Sequence, residues 1–296
     1  MIRTIRSRPS HRPSHLARLI VATLGACVLG AVAQAQTVFS SAGANAAAIT
    51  PTVDAFRSSL GTLNPNTAGS FGSGRREINW DGVPDAFAAP NLLPANFFNV
   101  NSPRGVVFAT PGSGFAVSAN AANPSGTAIQ FGNIDPTYST FFEPFSAQRL
   151  FTAVGSNIVD VSFFVPGGTQ SALTRGFGVV FSDVDVANTT SLSFFDRSSV
   201  LLGTYFATPS GGNAGFSFLG VDFGAASVGR VRITSGNQVL APGNTALDSV
   251  AMDDFIYGEP RILVAVVPEP GTYALMAGGL VAVLMLRRRQ AARGRA

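Results

Sequence analysis

Residues 229–235 read GRVRITS, and charged and apolar side chains alternate strictly within this stretch. Successive side chains of a β-strand point to opposite faces of its sheet. Val231 and Ile233 are therefore expected to face a core, while Arg230 and Arg232 face water. The pattern predicts a strand in an antiparallel sheet that is covered on one face and solvated on the other.

Nine further stretches rich in valine, phenylalanine and threonine are separated by turn-forming residues, as β-strands are. They are GVVFAT (105–110), FAVSA (115–119), RLFTAV (149–154), IVDVSFFV (158–165), GFGVVFS (176–182), SLSFF (191–195), VLLGTYFA (200–207), FSFLGVDF (216–223) and DSVAMDDFIYG (248–258). Hairpin turns are expected at PGG (166–168) and DRSS (196–199). Because no long helical pattern interrupts the strands, a parallel sheet with crossover helices is disfavoured. The predicted fold is mainly β: an antiparallel β-sandwich, jelly-roll-like, with most of the phenylalanines in its core.

One short helix is expected on the N-terminal side of these strands. Thr50 is a suitable N-cap, Pro51 suits the first turn, and Gly61 is a typical stop. The apolar positions are Val53, Phe56 and Leu60. The polar stretch that follows, TLNPNTAGSFGSG at 62–74, has the composition of a linker.

The basic charge is confined to the two ends of the chain. All twenty basic residues are arginines, and the chain has sixteen acids. Between residues 37 and 267, however, there are ten arginines and fifteen acids, which gives a formal charge of minus five. Because contacts to phosphates supply most of the non-specific affinity of nucleic-acid-binding proteins, a nucleic-acid partner is not expected.

The N-terminus has the three parts of a cleaved secretory signal peptide. A stretch with five arginines is followed by an apolar run from about residue 19 to 30, and then by small residues at Ala33 and Ala35. Cleavage after Ala35 is therefore predicted, with the Sec export machinery as a partner. An uncleaved anchor helix is the first alternative, and a lipoprotein signal with lipid on Cys27 is the second.

Removal of residues 1–35 would leave a chain without histidine, cysteine or lysine, since His11, His15 and Cys27 all lie within them. Such a chain has no Ser-His or Cys-His nucleophile pair, no histidine or cysteine zinc ligand, and no disulfide. It also has no lysine for a Schiff base or a phosphate-binding loop. We therefore expect no catalytic residues and a protein that is not an enzyme.

The C-terminal stretch VPEPGTYALMAGGLVAVLMLRRR, residues 267–289, combines three features. Prolines on both sides of one glutamate keep the backbone extended. An apolar run at 272–286 follows, and it would be about 22 Å long as a helix, against a hydrocarbon core of ~30 Å. Three arginines end the run and are expected on the cytoplasmic side. The run is predicted to be a short transmembrane helix.

This ending resembles the PEP-CTERM sorting signal of Gram-negative bacteria. The residues that carry the resemblance are Pro268, Glu269 and Pro270, and the basic cluster Arg287, Arg288 and Arg289. The resemblance implies exosortase as a partner, anchoring in the inner membrane before processing, and delivery to the cell surface or the extracellular matrix. An ordinary tail anchor is the alternative. The body, in INWDGVPDAF (78–87) and DDFIYGEP (253–260), resembles β-rich ectodomains found upstream of such signals, whose function is mostly unassigned.

The sequence thus predicts five segments. They are a signal peptide (1–35), a short helix and linker (36–74), a β-sandwich ectodomain (75–262), a PEP-CTERM signal (267–289) with its transmembrane helix (272–286), and a basic cytoplasmic tail (290–296).

A single calcium-loop pattern begins at residue 77. Glu77, Asn79, Asp81 and Asp85 stand at positions 1, 3, 5 and 9 of the loop, with glycine at position 6, and oxygen ligands at such positions can converge on calcium. DGVPDAF (81–87) is also similar to thrombospondin type 3 calcium repeats. Glutamate at position 1 and alanine at position 12 depart from the pattern, and solvated carboxylates in a turn are the alternative. Asp183 and Asp185 form another acidic pair at a strand end.

The expected function is that of an exported, non-catalytic protein of the cell surface or exopolysaccharide matrix, either structural or associated with glycans. A calcium-dependent, adhesin-like binding module is the first alternative. A carboxylate-type glycan hydrolase that uses Glu77, Glu143 or Glu259 is the second. Apart from calcium, no cofactor is expected.

Overall fold

The computed structural model describes residues 36–244, 247–262 and 270–294. The strands are β1 (Thr37–Gly43), β2 (Arg75–Ile78), β3 (Val106–Ala109), β4 (Gly114–Val117), β5 (Phe151–Val154), β6 (Ile158–Phe163), β7 (Gly176–Ser182), β8 (Ser191–Phe195), β9 (Leu201–Phe206), β10 (Phe216–Asp222), β11 (Arg230–Thr234) and β12 (Ala251–Gly258). The helices are α1 (Ala46–Leu60), α2 (Phe97–Val100), α3 (Tyr138–Phe141) and α4 (Pro270–Arg293), with a short 3-10 helix at Asp85–Phe87. All ten strands expected from the sequence are confirmed, whereas β1 and β2 were not predicted.

The strands form two sheets. The seven-stranded sheet has the order β1-β10-β7-β12-β5-β4, and β2 also pairs with β12. The five-stranded sheet has the order β3-β6-β11-β8-β9. All pairings between these strands are antiparallel. The strand orders β10-β7-β12-β5 and β6-β11-β8-β9 follow the two Greek keys of a jelly roll. The predicted antiparallel, two-sheet architecture is confirmed.

The main core lies between the two sheets and contains apolar side chains from both. β11 shows how the sequence builds it, since Val231 and Ile233 are completely buried while Arg230 and Arg232 lie on the other face, partly exposed. β6 has the same alternation. The prediction from the alternating pattern at residues 229–235 is therefore confirmed.

The outer face of the seven-stranded sheet is also covered, because α1 packs against it. The apolar face of α1 forms a second core with β7, β10 and β12, and its buried residues are Ile49, Val53, Phe56 and Leu60. The ring of Phe56 lies over Gly178 and Gly220, and a Cβ atom on Gly178 would be 2.8 Å from Phe56 Cε1. These two glycines therefore allow the helix to approach the sheet closely.

The helix begins earlier than the sequence analysis placed it. The Asn45 side chain caps α1 by accepting a hydrogen bond from the Ala48 backbone N–H at 3.2 Å. The predicted N-cap, Thr50, lies inside the helix and donates its hydroxyl hydrogen to the Ala46 carbonyl at 2.8 Å. The prediction of Thr50 as N-cap is wrong because the alanines before it are strong helix formers and extend the helix. The stop at Gly61 is confirmed, with a φ of +97°.

The predicted linker at 62–74 wraps around a buried ion pair. Arg76 is completely buried, and its guanidinium donates to both carboxylate oxygens of Glu259, at 2.6 and 2.9 Å. The same guanidinium donates to the carbonyls of Pro65, at 2.6 Å, and Gly69, at 3.2 Å. We call this segment the 62–74 loop. Its backbone therefore supplies acceptors that a buried arginine needs.

Trp80, the only tryptophan of the chain, belongs to the core rather than to a surface site. Its ring stacks on Phe151 with the centroids 4.1 Å apart, and its Nε1 donates to the Asp253 carbonyl at 2.9 Å. The residue has a φ of +65°, which is rare for a bulky side chain. These contacts hold the strained backbone, which turns sharply where β2 ends.

α4 covers the apolar run at 272–286, so the prediction of a helix there is confirmed. Within the described part of the chain, no helix is both long enough and apolar enough to cross a membrane. That the run at 272–286 crosses a membrane stays a prediction.

Candidate functional site

A solvent-open cavity of about 300 Å³ lies where α1, the 62–74 loop, β2 and β12 meet. Its volume is at the lower end of the range for small-molecule sites. All but one of its lining residues are polar or charged. They are Arg57, Leu63, Asn64, Asn66, Glu77, Asn79, Arg104, Ser146 and Asp254. We refer to it as the polar cavity.

One wall of the polar cavity is formed by Arg57, Glu77 and Asp254, and Arg75, which is not part of the lining, also binds Glu77. The Arg57 guanidinium donates to both carboxylate oxygens of Glu77 at 3.1 Å, and to Asp254 Oδ2 at 3.0 Å. Arg75 donates to the same Glu77 carboxylate at 2.6 Å. Paired planar groups of this kind fix each other's orientation. The two acids are therefore held by Arg57 and Arg75.

The floor of the cavity is formed by a β-bulge in β12. The register against β7 shifts between Met252 and Phe255, so that one extra residue is inserted and both flanking side chains face the core. Asp253 and Asp254 occupy the bulge. Both are almost completely buried.

The bulge acids bind the loop around Ser146. Asp253 Oδ2 accepts from the backbone N–H groups of Phe145, at 2.6 Å, and Ser146, at 3.2 Å. The Ser146 hydroxyl donates to Asp254 Oδ1 at 2.7 Å. Burial raises the pKa of Asp253 well above its usual range, and the neighbouring Asp254 charge adds to the effect. The pair thus fixes the Ser146 edge of the polar cavity.

Arg104 differs from the other arginine of the cavity. It has no carboxylate within ion-pair distance among the described residues, and its buried Nε has no hydrogen-bond partner there. Its guanidinium lies over the Phe98 ring, 5.0 Å from the centroid, and donates to Ser102 Oγ at 2.5 Å. Burial lowers the pKa of Arg104, and the charge of nearby Arg76 lowers it further. The cavity therefore contains a partly buried cation without an ionic partner in the described chain.

The four residues of the predicted calcium loop do not converge. Glu77 and Asn79 line the polar cavity. Asp81 instead accepts from the backbone N–H groups of residues 148 and 149, at 2.8 and 3.2 Å, and Asp85 forms an ion pair with Arg149. Trp80, which lies between Asn79 and Asp81, has a positive φ, so the backbone turns between the two pairs of residues.

Among the described residues, no group of three or more acids, histidines or cysteines is arranged to hold a metal ion. Calcium binding stays a prediction, and a calorimetric titration with calcium tests it. Absence of both heat and a change in melting temperature would reject it.

The second acidic pair noted in the sequence is joined by a third aspartate, Asp248. Asp248 Oδ1 accepts from the Asp185 backbone N–H at 2.7 Å. Asp183 is buried, has a φ of +70°, and its Oδ1 has no hydrogen-bond partner in the described structure. Burial raises the pKa of Asp183 to about 7, with further contributions from the charges of Asp185 and Asp248.

Sequence reasoning missed Arg57 and Arg104 as site residues. Arg57 lies on the solvent side of an amphipathic helix, where a charged residue is ordinary. Arg104 lies in a loop before β3, and no motif marks it. Their role depends on contacts between segments far apart in the chain, for which a single sequence carries no signal.

Several predicted sorting residues lie outside the described structure. The predicted signal peptide (1–35), with Ala33, Ala35 and Cys27, is not described, and neither are Pro268 and Glu269. Pro270 is the first residue of α4, and the basic cluster 287–289 lies on the same helix. Signal cleavage and the role of the basic cluster therefore stay predictions.

The described body is an antiparallel β-sandwich with a polar cavity, and a C-terminal helix follows it. In the comparison with protein families, residues 266–289 match the PEP-CTERM protein-sorting motif. The chain therefore carries this sorting motif, as its C-terminal residues indicated, and the match supports an exported protein sorted by exosortase. No curated protein and no solved structure matches the chain. The family match thus concerns the sorting of the protein and covers residues 266–289.

Proposed function

We propose that this is a non-catalytic protein of the cell surface or exopolysaccharide matrix, structural or glycan-associating, whose C-terminus is processed by exosortase. The observation that carries the proposal is the sorting motif at residues 266–289. A motif of this type addresses a protein to the cell envelope, so the ectodomain would act outside the cell. Export through the Sec machinery of a Gram-negative cell, with attachment to the inner membrane before processing, belongs to the same proposal.

The non-catalytic part of the proposal is supported by the pairing of the candidate acids. A glycosidase needs two carboxyl groups on opposite sides of one sugar. Glu259 is buried in an ion pair with Arg76, and Glu77 is held by Arg57. Glu143 is exposed and does not line the polar cavity. These contacts favour a binding or structural role for the ectodomain.

Glycan association is supported by the chemistry of the polar cavity. Its lining offers three asparagine amides and a serine hydroxyl, together with charged groups. Amides and hydroxyls both donate and accept hydrogen bonds, as sugar hydroxyls do. The charged groups Arg57, Glu77 and Asp254 lie on α1, β2 and β12, whereas the amides and the hydroxyl come from the segments beside them.

The sorting part is tested by changing Pro268, Glu269 and Pro270 together to alanine in the native host. We expect the unchanged protein to be recovered outside the cell with its C-terminus removed near the motif, and the variant to retain residues 270–296. Intact-mass spectrometry measures both ends of the chain at once, including any lipid on Cys27.

The matched control is Gln290→Ala, which lies immediately after the matched motif and should be processed as the unchanged protein is. Recovery of the unchanged protein with an intact C-terminus, or normal processing of the triple variant, would refute the proposal. Glycan association is measured separately, by co-sedimentation of the exported protein with the exopolysaccharide of the host.

A further inference from the structure

We propose that the polar cavity binds one acidic sugar unit of a polysaccharide, and that Arg104 pairs with the carboxylate of that sugar. The inference rests on the proposed glycan association and deepens it, because it names the site and the chemical class of the ligand. Three features support this assignment. They are the charge of Arg104, the free hydrogen-bonding groups near it, and the rigidity of the wall opposite.

The acids of the polar cavity are paired with arginines other than Arg104. Glu77 and Asp254 are both bound by Arg57, and Glu77 also by Arg75. Neither acid is within ion-pair distance of Arg104. A guanidinium that is largely removed from water gains most from an anionic partner that supplies two oxygens. A ligand carboxylate would supply them.

The neighbours of Arg104 add to this preference for an anion. The nearby Arg76 is neutralised by Glu259, so that no second acid is left for Arg104 on that side. The Arg104 carbonyl accepts from the Tyr257 hydroxyl at 3.1 Å, which fixes the backbone of the residue. Stacking over Phe98 fixes the plane of the guanidinium. The cation is therefore held in place before any ligand binds.

The hydroxyl groups of a sugar would meet amides that have no other role in the described structure. The side chains of Asn66 and Asn79 line the cavity and form no hydrogen bond with other described residues. Asn64 differs, since its amide donates to the Ser73 carbonyl and to Glu259, both at 2.8 Å. Two free amides near one unpaired cation suit a ligand that is both hydroxylated and anionic.

The size of the cavity limits the part of the ligand that it holds. About 300 Å³ is small for a ligand site, and the cavity is open to solvent. These dimensions suit one sugar unit, with the rest of the polymer continuing outside. Because a single weak site gains affinity when many are arrayed along a polymer, a low affinity for one unit is compatible with retention in a matrix.

The test is a calorimetric titration of the full chain with tetragalacturonate, an acidic oligosaccharide. Arg104→Met removes the cation and keeps an apolar side chain against Phe98, and we expect it to weaken binding by about tenfold or more, as the loss of a charge-assisted contact does. Asn66→Ala, at an exposed position, should weaken binding by about threefold. The methyl-esterified oligosaccharide, which lacks the charge, should bind to the unchanged protein as weakly as the acidic form binds to Arg104→Met.

The matched control is Arg230→Met. Arg230 also lies over an aromatic ring, that of Phe195 at 3.9 Å, but it belongs to the five-stranded sheet, and its loss should not change binding. Thermal unfolding of each variant shows whether it is folded. Titration with inorganic phosphate and with acetate separates an acidic sugar from a simple anion site, since equal binding of these ions would overturn the sugar assignment.

The remaining outcomes distinguish the two proposals. Equal affinity of Arg104→Met and the unchanged protein for tetragalacturonate would overturn the site while glycan association stands. Absence of tetragalacturonate binding would also overturn the site. If the unchanged protein co-sediments with the host exopolysaccharide in that case, glycan association still stands, and if it does not, glycan association falls as well.

Discussion

The charged residues of the two sheets differ in how far they are buried. The five-stranded sheet has an open outer face, where Arg230 and Arg232 share Asp160 in partly exposed pairs. On the seven-stranded sheet, α1 covers the outer face and the 62–74 loop lies along the edge at β2, and Arg76 and Glu259 are completely buried. Loss of one partner should therefore cost little stability on the five-stranded sheet and much on the seven-stranded sheet, because a buried charge without a partner is costly.

This difference also explains where the polar cavity lies. The cavity opens where α1 and the 62–74 loop meet at the β2 edge of the covered sheet, and the gap between them is lined by polar groups. Beside the gap, Arg57 is held by the buried Asp254, whereas on the open sheet Arg230 and Arg232 pair with the partly exposed Asp160. We therefore expect perturbations to have large effects on the covered sheet and small effects on the open one.

The largest effect is expected from Arg76→Met. The substitution leaves the buried Glu259 carboxylate without its cationic partner and removes a donor from several carbonyls, and it should lower the free energy of unfolding by about 3–5 kcal/mol. Urea denaturation measures it. The double variant Arg76→Met/Glu259→Leu should recover part of the loss. If Arg76→Met alone stays within about 1 kcal/mol of the unchanged protein, the expected difference between the two sheets is wrong.

The next effect is expected from Phe56→Ala, which removes the ring that joins α1 to the outer face of the sheet. Loss of a completely buried phenylalanine should cost about 3 kcal/mol or more, because a cavity remains over Gly178 and Gly220. The control Val38→Ala, at a largely exposed position of β1, should change stability little. Equal effects of the two variants would mean that α1 does not seal the sheet.

A pH-dependent effect is expected from Asp183→Asn, at the end of β7. Since burial raises the pKa of Asp183 to about 7, the folded chain keeps a proton that the unfolded chain, with a pKa of about 3.9, releases. The contribution of this residue to stability therefore falls as the pH rises from about 4 to 7.

The variant has no such proton to lose, and asparagine tolerates the positive φ of this position. It should match the unchanged protein near pH 4 and be more stable by roughly 2 kcal/mol near pH 8. Thermal unfolding at a series of pH values measures the difference. A difference that is independent of pH would show that the proton is not the cause.

The smallest effect is expected from Arg232→Gln on the open sheet. Asp160 keeps its contact with Arg230, and an exposed pair contributes less than about 1 kcal/mol. Denaturation at low and high salt measures it. A loss comparable with that of the Arg76 variant would remove the distinction between the two sheets.

The sequence predicted the strands of the open sheet well because their alternation reports burial on one face directly, as in β11. It also predicted β7, β10 and β12 from their apolar content. It did not predict β1, which reads TVFSSAG, because small and polar residues there give no alternating pattern. β2 was missed because RREI contains two arginines, and the burial of Arg76 depends on a partner at residue 259.

The candidate site was predicted only in part. Glu77 and Asn79 were singled out as oxygen-bearing residues and do lie at one site, but their expected partners Asp81 and Asp85 contact other segments. The sequence gives spacing along the chain, whereas the cavity depends on the bulge in β12 and the course of the 62–74 loop. Neither feature has a local sequence signature.

The pairing of β2 with β12 has a consequence for the timing of export. These strands are separated by more than 170 residues, and contacts of such long range form late and slowly. A chain that emerges N-terminus first cannot complete this sheet until Gly258 has passed, only a few residues before the matched sorting motif at 266. Translocation would thus proceed on an incompletely folded polypeptide, and a cut near the motif would leave all twelve strands in the released product.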